Sequence, residues 1–175
     1  MTLQPNTFAD AFANNLPATD LLKNAMPAIA CSRRRTILLV EDDPFVREAT
    51  GNLLKHSGFE VLPAEDAQAA MKIYEACGRE FGRERGRRID LVMTDMILPG
   101  RTGQQLAQDL RRCSPEIVVL ITSGYFNPEY ETEDPESRTY FLAKPYSRRT
   151  LIDKIEKILA TAVAKPVVRP ATQAG

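Results

Sequence analysis

Seven side chains stand out by type and placement: Glu41, Asp42 and Asp43 in a row, a lone Asp95, the hydroxyls of Thr122 and Ser123, and Lys144. Each follows a short apolar run: TILLV before the three acids, DLVMT before Asp95, IVVLI before Thr122 and YFLA before Lys144. An acid directly after a buried apolar strand has little packing reason to exist, so Asp42 and Asp95 read as chemical groups. Two carboxylates about 4 Å apart repel by roughly 4 kcal/mol at an effective dielectric near 20. Acids gathered at one place therefore need a proton, a lysine or a metal to offset them. A hard divalent cation fits best, because Mg2+ commonly takes one or two carboxylates and keeps positions for water and phosphate oxygens. With that charge offset, one carboxylate can attack phosphorus and form an acyl phosphate. Thr122 and Lys144 would then hold phosphoryl oxygens, the lysine by a charge-assisted hydrogen bond.

For these residues to meet, four distant segments must lie side by side. Short apolar runs alternate with segments of helical period, the signature of βα units around a parallel sheet. Thr36–Val40 is continuously apolar after its first residue, as expected of a strand covered on both faces. Asp43 can cap a helix with Pro44 at its first position, whose Val46, Ala49, Thr50, Leu53 and Leu54 share a face until Gly58 ends it. Residues 59–62 form a second strand, and Asp66 caps a helix with an inward stripe of Ala67, Ala70, Met71, Tyr74 and Cys77. Residues 90–94 are a third strand, and Gly103–Cys113 is a helix with Leu106 and Leu110 inward, closed by Ser114 and Pro115. Residues 117–121 and 140–143 are strands four and five, and Ser147 starts a last helix with Leu151, Ile152, Ile155, Ile158 and Leu159 on one side. Five strands thus alternate with at least four helices. Since parallel crossovers are right-handed, the expected fold is α/β: a doubly wound five-stranded parallel sheet of flavodoxin-like order 2-1-3-4-5, with helices on both faces. Sites in such sheets form beyond the carboxyl ends of the strands, where all seven residues fall.

The 175 residues suit one domain with tails. Residues 35–162 are expected to fold, and residues 1–34 and 163–175 to be disordered tails. With 23 Lys plus Arg against 23 Asp plus Glu, no bulk field draws the chain to nucleic acid or a membrane surface. Cys31, Cys77 and Cys113 are odd in number and lack C-x-x-C spacing, which favours a reducing compartment. No basic segment precedes an apolar leader, and no run approaches the roughly 20 apolar residues of a membrane helix. A cytoplasmic location is the expectation. The single histidine, His56, sits near a helix end and reads as a solvated or C-terminal residue. Residues 78–88 (GREFGRERGRR) read as a solvated insertion, because glutamates dilute the field of the arginines.

The stretches ILLVEDDPFVRE, DLVMTDMILPGRTG, VVLITSG and FLAKPYS, in that order, closely resemble the receiver domains of two-component response regulators. The resemblance covers about residues 35 to 160. It implies that Glu41 and Asp42 are the acidic pair, Asp95 the phosphoacceptor, Thr122 the switch hydroxyl and Lys144 the lysine followed by Pro145. It further implies Mg2+ held by Asp42, Asp95 and the backbone carbonyl of Ile97, with Glu41 beside them. Phe141, three residues before the lysine, is the aromatic that would move inward on phosphorylation. That move is a bistable packing element biased by a new charge, needing about 5.5 kcal/mol to go from 1:99 to 99:1. Residues 127–138 hold two prolines and many acids where the family usually has a helix, so output geometry there departs from the pattern. The implied partners are a histidine kinase or histidine phosphotransfer protein and an unknown downstream protein, with a weak homodimer allowed. No direct nucleic-acid or membrane partner is expected. Two other readings are a receiver fragment of a hybrid kinase and a phosphatase with an aspartate nucleophile. Against the phosphatase, Ile97 stands two residues after Asp95, where such enzymes need an acid. Nucleotide binding is weakest, because no Gly-rich phosphate loop follows the first strand.

Overall fold

The computed structural model describes residues 33–80, 88–124 and 137–164. The expectations for residues 1–32, for most of the two insertions and for the segment after 164 lie outside the described residues. The order of elements is β1 (Thr36–Val40), α1 (Pro44–His56), β2 (Glu60–Ala64), α2 (Ala67–Glu80), β3 (Ile89–Asp95), β4 (Ile97–Leu98), β5 (Arg101–Thr102), α3 (Gly103–Cys113), β6 (Val119–Ser123), β7 (Thr139–Ala143) and α4 (Arg148–Ala164). Five strands form one parallel sheet of order β2-β1-β3-β6-β7. Since β6 and β7 are the fourth and fifth strands of that sheet along the chain, this is the expected 2-1-3-4-5 order.

The sheet is covered on both faces because its central strands are apolar on both. In β1, Leu38 and Val40 point to one layer, where they meet Ala67 and Ala70 of α2 and Leu106, Ala107 and Leu110 of α3. Ile37 and Leu39 point to the other, where they meet Leu54 of α1 and Leu151, Ile155, Ile158 and Leu159 of α4. The two layers follow from the period of 2 in a strand and the i, i+3, i+4 spacing in a helix. No helix among the described residues is long and apolar enough to cross a membrane.

Local chemistry sets the helix starts. The Asp43 carboxylate accepts hydrogen bonds from the amides of Phe45 (2.8 Å) and Val46 (3.0 Å), capping α1 as its place before Pro44 implies. Asp66 does the same for Ala69 at 2.7 Å. A capping box that the sequence reading passed over starts α3: Thr102 Oγ1 accepts from the Gln105 amide, and the Gln105 side chain accepts from the Thr102 amide.

β3 extends by one residue beyond its expected bounds at each end and β7 by one at its start, to Ile89–Asp95 and Thr139–Ala143, and two other strands shift by up to two residues. β2 runs over Glu60–Ala64 rather than 59–62, because its ladder to β1 pairs Thr36 with Glu60 and Val40 with Ala64. Pro63 is tolerated there because β2 is an edge strand. β6 begins at Val119 rather than 117 and runs through Thr122 and Ser123, because Thr122 pairs with Asp95. Ile117 and Val118 are still buried, so apolarity alone overextended that strand at its start.

Candidate functional site

The acidic edge is built where β1, β3, β6 and β7 end. The Glu41 amide donates to Ala64 O at 3.1 Å, which extends the β1–β2 ladder by one residue and turns the chain toward α1. Asp95 is the last residue of β3 and the register partner of Thr122. The Met96 amide donates to Thr122 O, and the Lys144 amide to Ser123 O, both at 2.7 Å. Asp95 and Lys144 are therefore held on either side of β6 by backbone pairing, and their side chains meet.

The Lys144 ammonium donates to Asp95 Oδ2 at 2.7 Å and to Glu41 Oε2 at 2.9 Å. Asp95 Oδ1 accepts a longer hydrogen bond, 3.3 Å, from the Ile97 amide. Glu41, Asp42 and Asp95 each offer one carboxylate oxygen, all within 4.8 Å of one another. Asp42 is exposed at the rim, the Glu41 side chain is 7% exposed, and the Asp95 side chain is 18% exposed. The Asp95 carboxylate is thus shielded but still reached by solvent.

Burial pushes the Glu41 carboxyl above its ordinary pKa, and the Lys144 hydrogen bond and charge only partly counter it. For Lys144, burial works against the charged form, but the hydrogen bonds and charges of Asp95 and Glu41 outweigh it and hold the ammonium above its usual value. Lys144 is a fixed cation at neutral pH. Burial likewise raises the Tyr146 hydroxyl, against a hydrogen bond with Thr50, which links the turn after Lys144 to α1.

The donor set fits a hard divalent cation. It is all oxygen, it carries more negative charge than Lys144 offsets, and its exposed rim at Asp42 leaves room for water ligands. Mg2+ held by Glu41, Asp42 and Asp95 would also meet the three-acid repulsion that the lysine alone leaves.

All six residues singled out as ligands or reacting groups lie at this edge. Thr122 is 2% exposed, and its Oγ1 donates to Thr94 O at 3.3 Å. Ile97 starts the two-residue β4, which pairs antiparallel with β5 through the Pro99–Gly100 turn, and the residue is 71% exposed. Phe141 packs half-buried against the α2 and α3 layer, while neighbouring Tyr140 is buried in the other. His56 is exposed, with Nδ1 2.7 Å from Asn52 O at the end of α1.

Besides the α3 capping box, two features next to the site escaped the sequence reading. One is the β4–β5 hairpin, which the turn dipeptide Pro99–Gly100 could have signalled. The other is Arg47, whose Nη1 donates to the backbone oxygens of Glu41 (2.6 Å) and Asp42 (3.0 Å). Nothing in the local sequence distinguishes that arginine from a solvated one.

A doubly wound α/β protein with acids and a lysine beyond its strand ends is the class that this fold and site define. Within that class, the profile of the response regulator receiver domain matches residues 37–156. The chain belongs to the response regulator receiver family, whose members are phosphoacceptor switches of two-component signalling. It is 28% identical over 156 residues to the sensor kinase CckA of Brucella abortus, matching 89% of this chain and 16% of that protein. It is 31% identical over 129 residues to a cyclic di-GMP phosphodiesterase of Thermotoga maritima, matching 73% of this chain and 32% of that one. The chain thus spans about a sixth to a third of the length of these two curated relatives. Among solved structures, the receiver domain from the hybrid histidine kinase CckA is 34% identical, with a TM-score of 0.55 over 71% of this chain and 98% of that one. A receiver domain protein from Clostridium thermocellum superposes with a TM-score of 0.64 at 21% identity, over 74% of this chain and 98% of that one; this likeness concerns the fold alone.

Proposed function

We propose that Asp95 is the phosphoacceptor of this receiver and that Mg2+ binds beside it through Glu41, Asp42, Asp95 and the backbone carbonyl of Ile97. The observation that carries this reading is the Lys144 ammonium, 2.7 Å from Asp95 and 2.9 Å from Glu41, with Asp42 in the same cluster. When bound, Mg2+ supplies positive charge that lets an anionic phosphoryl group approach a carboxylate. An Asp95 oxygen attacks phosphorus, the bond from phosphorus to the donor's leaving group breaks, and an acyl phosphate remains on Asp95. Lys144 neutralises a phosphoryl oxygen by the same charge-assisted donation it now gives Asp95. Thr122 turns its hydroxyl from Thr94 O to a second phosphoryl oxygen, and the space it leaves admits Phe141.

The phosphoryl donor is a histidine kinase or histidine phosphotransfer protein in the cytoplasm, and the phosphorylated surface acts by binding a downstream protein. Turnover of phosphomonoesters is not part of this function, because Ile97 offers hydrocarbon where an acid–base group would be needed. Incubation with acetyl phosphate and Mg2+ should add one phosphate by intact mass, and Asp95→Asn should add none. Labelling of Asp95→Asn at the wild-type rate would overturn the assignment.

A further inference from the structure

Arg47 is a cation beside the site that the chemistry above does not use. It lies half-buried in the first turn of α1, and its amide donates to Asp43 O at 2.9 Å. Its guanidinium reaches back to the backbone of the acidic pair: one nitrogen, Nη1, donates to Glu41 O at 2.6 Å and to Asp42 O at 3.0 Å. Together with the Glu41 amide on Ala64 O and the Asp43 carboxylate cap on α1, these bonds hold the acidic turn, by backbone atoms at Glu41 and Asp42 and by the side chain at Asp43.

The contrast with Lys144 is chemical. Lys144 bonds carboxylate oxygens of Glu41 and Asp95, so an incoming metal must share them with it. Arg47 bonds only carbonyl oxygens, so it orders the acidic pair without occupying a carboxylate of either residue. Ordering the turn at folding removes that entropy cost from the later binding step.

We propose that Arg47 is a positioning residue for the divalent cation, holding Glu41 and Asp42 by their backbone so that their carboxylates face the pocket before the ion arrives. The inference rests on the reading that the acidic edge binds Mg2+. Two effects of the guanidinium have opposite sign: its charge repels a second cation, while its hydrogen bonds pre-order the ligands. Pre-ordering dominates, because the bonds to the carbonyls are direct whereas the repulsion acts across the turn.

Calorimetric titration with MgCl2 tests this on the full chain. Arg47→Ala and Arg47→Gln should raise the Mg2+ Kd at least five-fold, and Arg47→Lys should return it to within two-fold of wild type. With acetyl phosphate, the Mg2+ concentration for half-maximal phosphorylation should rise by the same factor, and the rate at saturating Mg2+ should stay within two-fold. A purely structural role would instead lower the fraction of competent protein, reducing binding stoichiometry and maximal rate without moving Kd. An unchanged or tighter Kd in folded Arg47→Gln, or no rescue by lysine, would overturn the inference. Absence of Mg2+ binding by the wild-type chain would overturn the metal reading itself, and this inference with it.

Discussion

Glu41 carries the least comfortable charge of the acidic edge. Its carboxylate is buried, shares one ammonium with Asp95 and lies beside Asp42, so its proton is held more tightly in the folded chain than in the unfolded one. By linkage, the raised folded pKa means that Glu41 favours the folded state most below its unfolded value near 4.5. That contribution is lost as pH rises through the folded pKa. Glu41→Gln removes the titration, so its stability relative to wild type should improve as pH rises from about 4 to 7. Chemical denaturation without Mg2+ at several pH values measures this, and a pH-independent difference would count against it. Mg2+ pulls the other way, since a protonated carboxyl cannot ligate. Its affinity should fall on acidification sooner than an unshifted glutamate would allow, and the same calorimetric titration at two pH values reads that shift.

At the scale of elements, two contacts decide how well the acids are presented. The Asp43 cap starts α1 immediately after the acidic pair, so Asp43→Ala should cost about 1 kcal/mol of stability. The Asp43 Oδ1 is already committed to two amides, so the Mg2+ Kd of that variant should stay within two-fold of wild type. A large loss of Mg2+ affinity would make Asp43 a ligand after all. The second contact is the packing of α3 on the end of β3. A methyl group at Gly103 would overlap the Asp95 carbonyl oxygen and press on Thr94, while the Gly103 amide donates to Met96 O. Glycine is required there for close approach of backbone to backbone. Gly103→Ala should therefore destabilise the fold by about 1–3 kcal/mol, as overpacking does. It should also slow labelling of Asp95 by acetyl phosphate, whereas an alanine placed at exposed Gln108 should leave the rate unchanged.

At the scale of the molecule, the binding site and the fold share one sheet edge, so ligand and stability are coupled. Mg2+ that binds the folded chain alone should stabilise it by about 1.4 kcal/mol at ten times its Kd. Thermal unfolding should shift upward with Mg2+ in the wild type and far less in Asp42→Asn. Asp42 is the exposed member of the acid group, so its removal leaves the core clusters intact. Strand pairing also links the acidic edge to the neighbouring layer. Thr122 pairs with Asp95 on one side and Leu142 on the other, so β6 joins Asp95 to β7, where Phe141 sits against the α2 and α3 layer.

The amino-acid sequence by itself determined the sheet order, the two-layer covering, the Asp43 and Asp66 caps and the residues that gather at the strand ends. These follow from local periods, from cap chemistry and from the handedness of crossovers, all of which are written within short windows of chain. Only the tertiary structure decided the rest. The bounds of β2 and β6 depend on ladder pairing, as with Thr122 opposite Asp95, which no apolar count contains. The reach of Lys144 to both Glu41 and Asp95, the Thr122 hydroxyl on Thr94 O and the grip of Arg47 on two carbonyls depend on distances across the fold. So does the raised Glu41 pKa, because burial is a property of what surrounds a side chain rather than of what precedes it.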